Sequence, residues 1–166
     1  PIVEPEILMD GAHPIEDSFF VSEEVLHTVF YELYGQNVEL EGMVLKPNMV
    51  LSGYNCSDQA SVEQVAELTV TVFKRSVPSA VPGIAFLSGG QSDEHATAHL
   101  NAMNQLIGDN SPWNLTFSYG RALQAPALKA WAGKDENISD AQEAFYKRAK
   151  LNSLATKGDY SAGMES

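Results

Sequence analysis

The sequence predicts a parallel α/β fold, and two observations support this prediction. Short apolar runs alternate four times with longer stretches of helical spacing along the 166 residues, which is the pattern of strands joined by helices. The runs are apolar at successive positions, as in strands covered on both faces of a parallel sheet. Apolar residues make up 44% of the chain, enough for the core of one domain over residues 1–166.

Each predicted strand ends at charged, glycine or proline residues. The four strands are Ile2–Val3, Met43–Leu45, Ile84–Leu87 and Leu115–Phe117. Glu4 follows the first strand and Lys46-Pro47 follows the second. Because strand ends converge on the functional site in parallel α/β folds, the residues after these strands are the candidates for chemistry.

Helical spacing and capping residues predict the first three helices. A helix covers about 18–34 and ends at Gly35. Ser61 followed by Gln64 is a capping-box pattern that starts the second helix. Ser92 can cap the third helix, because its side chain can accept a hydrogen bond from the first turn.

The last part of the chain predicts two more helices and a loose tail. An alanine- and leucine-rich stretch reaches Trp131, and Pro126 is expected to disturb it because proline lacks a backbone N–H. A final helix covers about 139–155. Residues 159–166 are expected to be loosely ordered.

Four strand–helix units are half of the eight in a (β/α)8 TIM barrel. An open, doubly wound sheet of four strands is the alternative. The chain begins at Pro1 with no methionine and no signal peptide, so we expect it to start inside a longer protein.

Composition excludes several classes of partner. The net charge of -12 argues against nucleic acid and anionic membranes, since both are bound by basic surfaces. No apolar run is long enough to predict a membrane span. A single cysteine, Cys56, excludes an internal disulfide framework.

Lys46 is the sharpest candidate for catalysis. It follows an apolar strand directly, and at the mouth of a barrel its amine is expected to be desolvated and therefore neutral. A neutral amine attacks a carbonyl and forms a Schiff base. A surface lysine that extends to water is the alternative interpretation.

Two carboxylates lie near the predicted position of this lysine. Glu4 and Glu6 flank Pro5, and residues two apart share one face of an extended segment. One carboxylate can pair with the ammonium while the other carries protons during imine formation and hydrolysis. An acidic strand end in an acidic protein is the alternative.

Two glycine-containing turns predict an anion site. Successive N–H groups in Ser88-Gly89-Gly90 can cradle a phosphate. Gly120 opens the next turn, and Arg121 can bind a phosphate through two N–H groups. If these turns follow the last two strands of a barrel, all five residues converge on one anion. A plain turn and a solvated arginine are the alternatives.

His95 and His99 are spaced four residues apart on a helix, with Glu94 beside them. This spacing can hold a metal. No third ligand is placed to complete the site, so a solvated helix face is favoured and no metal is expected.

Four motifs resemble the class I fructose-bisphosphate aldolases. They are PIVEPEIL at residues 1–8, LKPNMV at 45–50, FLSGGQS at 86–92 and LTFSYGRAL at 115–123. The resemblance covers nearly the whole chain and corresponds to the C-terminal half of the family's TIM barrel, about the last four βα units plus a C-terminal helix. It implies reversible cleavage of fructose 1,6-bisphosphate into dihydroxyacetone phosphate and glyceraldehyde 3-phosphate in glycolysis and gluconeogenesis. The reaction passes through a lysine imine, with no metal or other cofactor.

The resemblance also implies roles for the catalytic candidates. Lys46 matches the imine-forming lysine of the family. Glu4 matches the glutamate that moves protons during imine formation, and Glu6 matches the neighbour that pairs with the lysine. These roles agree with the chemistry that the residue types predict.

The phosphate candidates match the family in the same way. Ser88 and Gly89 resemble its C1-phosphate loop, and Arg121 resembles its phosphate-binding arginine. Gly90 and Gly120 lie beside them in the same motifs. The resemblance therefore implies a sugar phosphate as substrate.

The family's N-terminal half supplies an aspartate, lysines and an arginine that this sequence lacks, so the 166 residues alone are expected to be weak or inactive as an enzyme. The implied partners are that N-terminal half and further copies, since the family forms cytoplasmic homotetramers. A non-catalytic phosphate-binding or scaffold module made from the half barrel is the alternative function.

Overall fold

A computed structural model describes all 166 residues as one parallel sheet of four strands with five α-helices around it. The strands are β1 (Ile2–Val3), β2 (Val44–Leu45), β3 (Gly83–Phe86) and β4 (Asn114–Phe117). The helices are α1 (Ile15–Gly35), α2 (Val62–Ser76), α3 (Asp93–Ile107), α4 (Arg121–Trp131) and α5 (Ile138–Ala155). The predicted parallel α/β fold is confirmed. None of the helices combines the length and apolar character needed to cross a membrane.

The strands pair in the order in which they occur along the chain. The order β1-β2-β3-β4 never reverses, and every pair is parallel. A doubly wound sheet reverses its strand order at a switch point, so the doubly wound alternative does not describe this sheet. Crossovers of one hand between sequential strands place the connecting helices on one face of the sheet.

The burial pattern shows that one face of the sheet is covered. The residues that alternate onto this face are almost inaccessible to solvent, namely Leu45, Ile84, Phe86 and Leu115. The residues between them are partly exposed, namely Val44, Ala85 and Thr116. The sequence predicts that both faces of the sheet are buried. This expectation is wrong for this chain, because the helices pack over one face only.

The predicted capping residues begin α2 and α3. The Ser61 hydroxyl accepts from the backbone N–H of Gln64, while the Gln64 side chain accepts from the backbone N–H of Ser61. The Ser92 hydroxyl accepts from the backbone N–H of His95. Pro126 lies inside α4, which continues to Trp131, although a proline there lacks the N–H that would bond to the carbonyl of Ala122 and its ring crowds that carbonyl.

The C-terminal segment 159–166 is anchored rather than loose. The guanidinium of Arg148 on α5 donates to both carboxylate oxygens of Glu165, at 2.7 and 2.8 Å. The Tyr160 hydroxyl donates to the same carboxylate at 2.8 Å, and its backbone N–H donates to Asn101 on α3 at 3.0 Å. Tyr160 and Arg148 are buried. The expectation of a loose tail is wrong, because sequence position alone does not report such long-range pairing.

Glu165→Gln is expected to lower the free energy of unfolding by about 2 kcal/mol at pH 7, because it leaves the buried Arg148 charge without its carboxylate. Burial acts to raise the pKa of Glu165, but hydrogen bonds from Arg148 and Tyr160 hold it below its usual value. The ionised carboxylate therefore stabilises the fold above the unfolded pKa, and this contribution is lost as pH falls through the lower folded pKa.

Urea unfolding of the wild type and of Glu165→Gln at pH 7, 5 and 3 measures the difference. The difference in the free energy of unfolding should be largest at pH 7 and disappear towards pH 3. Glu136→Gln is the matched control, since Glu136 is exposed and lies 3.9 Å from Lys134. Equal stability of wild type and Glu165→Gln at pH 7 would contradict the anchor.

Candidate active site

Lys46 and Glu4 form an ion pair at the carboxyl ends of β2 and β1. The Lys46 Nζ lies 2.9 Å from the Glu4 Oε1. The parallel register pairs Val3 with Leu45, and the Lys46 N–H donates to the Val3 carbonyl at 2.7 Å. Glu4, which follows Val3, therefore lies beside Lys46, which follows Leu45. The Lys46 side chain is 21% exposed, so it is only partly removed from water in this chain.

Glu6 lies on the same exposed side of the segment as Glu4 but belongs to a neighbouring cavity. We expected Glu6 to pair with Lys46, but Glu4 forms the ion pair, because the strand register places Glu4 directly opposite the lysine. The segment is held by Asn48, a buried residue that follows β2. Its side-chain oxygen accepts from the backbone N–H of Ile7 at 3.0 Å.

The two predicted phosphate turns lie side by side. The register pairs Phe86 with Phe117, and the Ser118 N–H donates to the Phe86 carbonyl at 2.8 Å. Beyond the strands, Gly89, Gly90 and Arg121 line one cavity, with Gly90 close to the Arg121 guanidinium. Gly89 and Gly90 have φ of 56° and 80°, the left-handed region that glycine adopts without a steric penalty.

A polar cavity of about 310 Å³ opens between these turns and the loop after β1. It is lined by nine residues, Glu6–Asp10, Tyr54, Gly89, Gly90 and Arg121. Arg121 is the one cation among them and is the first residue of α4. Its guanidinium approaches Gly90, where an added Cβ would lie 3.6 Å from Nη2. A positive group, a helix start and glycine backbone together suit an anionic ligand.

The structure separates the predicted site residues into those that line this cavity and those that support it. Gly89, Gly90, Arg121 and Glu6 line it. Ser88 is buried, and its carbonyl accepts hydrogen bonds within the turn. Gly120 precedes α4 as its N-cap. Lys46 and Glu4 form their pair at the same strand-end edge, outside the cavity lining.

Tyr54 is a lining residue that the sequence does not predict. Its hydroxyl contacts the carbonyl of Gly89 and lies against Gly90. Burial raises the pKa of Tyr54, with Arg121 opposing the rise. Backbone pairing between two loops brings it here, because the Tyr54 N–H donates to the Met9 carbonyl at 2.9 Å. Such loop-to-loop pairing leaves no periodic signal in the sequence.

Close backbone contact fixes that loop as well. A Cβ at Gly53 would lie 2.5 Å from the carbonyl oxygen of Gly11, so any larger residue would push the two loops apart. The glycine of the sequence Ser52-Gly53-Tyr54 therefore has a steric function that the sequence pattern alone does not reveal.

His99 and Gln91 lie behind the glycine turn. The His99 Nδ1 is 2.6 Å from the Gln91 Oε1, and the Gln91 side-chain amide donates to the Ser88 carbonyl at 2.9 Å. His95 stacks on His99 with ring centroids 6.0 Å apart. No cluster of three or more histidine, cysteine or acidic side chains is arranged to hold a metal. His99 is buried rather than part of the solvated face that the sequence favours.

Comparison with known proteins identifies relatives along the whole chain. The sequence model of the glycolytic class I fructose-bisphosphate aldolase family matches residues 1–166. The chain is 57% identical over 160 residues to fructose-bisphosphate aldolase B of Gallus gallus, covering 96% of this chain and 44% of that protein. It is 56% identical over 160 residues to the cytosolic fructose-bisphosphate aldolase 4 of Arabidopsis thaliana, covering 96% of this chain and 40% of that protein.

A solved structure gives the same result for the fold. Fructose-bisphosphate aldolase from Plasmodium falciparum, solved in complex with TRAP and a small-molecule inhibitor, superposes with a TM-score of 0.94 at 53% identity. The match covers 98% of this chain and 46% of that chain. The chain thus spans less than half the length of these relatives.

His99 is expected to make stability depend on pH below neutrality. Burial lowers the pKa of His99 to about 4, helped by His95 and opposed by Glu63. The unfolded chain therefore takes up a proton near pH 6.5, before the folded chain does. Stability is full above pH 6.5 and falls, by up to roughly 3 kcal/mol, as pH decreases to about 4.

His99→Asn should remove this component, and urea unfolding between pH 7 and pH 4 measures it. His27→Asn is the matched control, because His27 is exposed on α1. Parallel pH curves for wild type and His99→Asn would show that His99 is not buried in its neutral form.

Proposed function

Because this chain belongs to the class I fructose-bisphosphate aldolases, we propose that it carries the Schiff-base half of their active site. Its reaction is the reversible cleavage of fructose 1,6-bisphosphate to dihydroxyacetone phosphate and glyceraldehyde 3-phosphate. The observation that carries the proposal is the 2.9 Å pair of Lys46 and Glu4 at neighbouring parallel strand ends. An amine in contact with a carboxylate is what imine formation requires, since protons must move as the bond forms.

The reaction starts when the Lys46 nitrogen attacks the C2 ketone and water leaves, so that a protonated imine forms. The electrons of the C3–C4 bond then move toward the imine nitrogen, a base takes the C4 hydroxyl proton, and the aldehyde product leaves. The remaining enamine takes a proton at C3, and water hydrolyses the imine to release dihydroxyacetone phosphate. The lysine nitrogen is the electron sink, so the proposal includes no metal or other cofactor. The family resemblance assigns the C4 base to the N-terminal half.

The two carboxylates divide the remaining work. Glu4 contacts the amine and is assigned the proton transfers of imine formation and hydrolysis. Glu6 shares the exposed side of the segment and remains the second carboxylate of the site. Both act on the face of the sheet that the helices leave open.

A substrate phosphate is proposed to bind between the two glycine turns. Arg121 supplies the positive charge, Gly89 and Gly90 supply close backbone approach, and Ser88 and Gly120 shape the turns. Holding the phosphate fixes the ketone relative to Lys46, and such positioning lowers the entropic cost of the reaction.

The finer architecture proposed is a (β/α)8 barrel, of which the chain supplies four strand–helix units. The sequential strand order and single covered face support it, since a barrel keeps its helices outside and its second face inside. The partners are then the N-terminal half of the barrel and further copies in a homotetramer, and the 166 residues alone have little activity. We place the enzyme in the cytoplasm, as in the cytosolic Arabidopsis relative.

A non-catalytic phosphate-binding or scaffold role is the second candidate. The cavity around Arg121 is formed without Lys46, so it can bind an anion even where no imine forms. The two functions differ in whether Lys46 ever becomes covalently modified.

Lys46 is expected to be trapped by borohydride in the presence of dihydroxyacetone phosphate, because reduction makes the imine permanent. Peptide mass mapping of the intact protein should place the adduct on Lys46. Lys46→Met should give no adduct, and Lys74→Met on α2 is the matched control that should retain it. Phosphate binding by the wild type with no adduct would favour the scaffold role.

Arg121→Ala is expected to weaken binding of dihydroxyacetone phosphate about 10- to 100-fold, the effect of losing charged hydrogen bonds. Arg121→Lys should recover part of the loss, since lysine keeps the charge but not the two-pronged geometry. Calorimetric titration measures both variants. Arg75→Ala, on α2 beside Glu23, is the control, and an equal loss in it would contradict a specific role for Arg121.

A further inference from the structure

Hydrogen bonds connect the buried His99 of α3 to the glycine turn through Gln91. The His99 Nδ1 lies 2.6 Å from the Gln91 Oε1. The Gln91 Nε2 donates to the Ser88 carbonyl at 2.9 Å, and the Gln91 backbone N–H donates to the same carbonyl at 3.1 Å. The turn is thus held through the Ser88 carbonyl by two residues that do not line the cavity of Arg121.

The contacts of the Gln91 amide decide the direction of each hydrogen bond. Its nitrogen faces two acceptors, the Ser88 carbonyl and the Met49 sulfur at 3.5 Å. Its oxygen therefore faces His99 and must accept. His99 must donate from Nδ1, and 6% exposure leaves that nitrogen little access to water. The histidine thus has a defined tautomer and a defined partner.

We propose that His99 is a positioning residue for the phosphate site, acting through Gln91 on the Ser88–Gly90 turn. This role deepens the proposed function and rests on it. Gly89 and Gly90 both lie in the left-handed region, where glycine has wide conformational freedom. A turn with such freedom binds well only if something outside it selects one conformation, since otherwise the ligand must order it.

Contacts from outside the Ser88–Gly90 turn restrain its conformation. Tyr54 contacts it from the open side of the cavity, and the exposed fraction of that side chain is 48%. Gln91 is partly buried and His99 is buried, so competition by water is weakest at the His99 end of this connection. His99 therefore supplies the part of this restraint that is best protected from water.

Three variants of the intact protein test the proposal. His99→Leu removes the donor while filling the space with an apolar side chain. His99→Asn keeps an N–H donor near the position of Nδ1, and Gln91→Met keeps the length of the side chain but removes both hydrogen bonds. His27→Leu, on the exposed face of α1, is the control.

Calorimetric titration with inorganic phosphate and with dihydroxyacetone phosphate is the first measurement. His99→Leu should bind about five- to tenfold more weakly, the effect of one hydrogen bond, and Gln91→Met at least as weakly, because it loses both. The double variant should be no weaker than Gln91→Met alone, because both act through one connection. His99→Asn should bind within twofold of the wild type.

Steady-state kinetics separate positioning from general damage. His99→Leu should raise KM about five- to tenfold, with kcat reduced less than twofold, because the turn binds the substrate and takes no part in imine formation. Unchanged phosphate affinity in His99→Leu would overturn the proposal, as would additive losses in the double variant or no recovery in His99→Asn.

The same data distinguish this proposal from the proposed function. If the wild type gives no borohydride adduct on Lys46 but His99→Leu still binds phosphate more weakly, the aldolase assignment fails and the positioning role stands. If the adduct forms normally and His99→Leu binds phosphate like the wild type, the positioning role fails alone. A wild type that binds neither phosphate ligand contradicts the positioning role directly.

Discussion

In-register pairing of four short parallel strands decides where every candidate functional group lies. β1 and β2 are two residues long and β3 and β4 are four, yet their pairing carries on through the next residues. The pairing of Val3 with Leu45 brings Glu4 beside Lys46, and the pairing of Phe86 with Phe117 brings the two glycine turns together. A shift of one residue would turn Lys46 toward the covered face of the sheet. The proposed catalytic pair and the proposed phosphate site therefore depend on the same backbone register.

Helix α3 links the strand ends to the rest of the fold. His99 faces the glycine turn through Gln91, while Thr97 accepts from Arg148 and donates to Asn152 on α5. Asn101 accepts from the backbone of Tyr160 in the C-terminal segment. One helix thus bonds to the turn on one side and to the anchored tail on another. Buried polar networks of this kind are costly when incomplete, so they favour a single arrangement of the elements that they join.

Sequence pattern predicts the elements of this fold well and their pairing less well. Strand positions, the Ser61 and Ser92 caps and the strand-end placement of Lys46 follow from local periodicity and turn chemistry. The choice between Glu4 and Glu6 depends on register, which lies in hydrogen bonds between distant segments. Tyr54 reaches the cavity through loop-to-loop pairing, and Glu165 reaches Arg148 from 17 residues away. These contacts carry no local signal, so the structure is needed to find them.

The open face of the sheet explains why Lys46 is only partly buried. Register and alternation place Glu4 and Lys46 on the face opposite Leu45, Ile84 and Leu115, which the helices cover. Solvent therefore reaches the amine from the direction in which a closed barrel has its interior. Covering that face would remove water from the lysine and its carboxylate together, and desolvation disfavours both charges, so the proton can pass from the ammonium to the carboxylate and leave a neutral amine. The pairing seen at 2.9 Å is then the arrangement that the surrounding half of a barrel would enclose, with proton donor and acceptor already in contact.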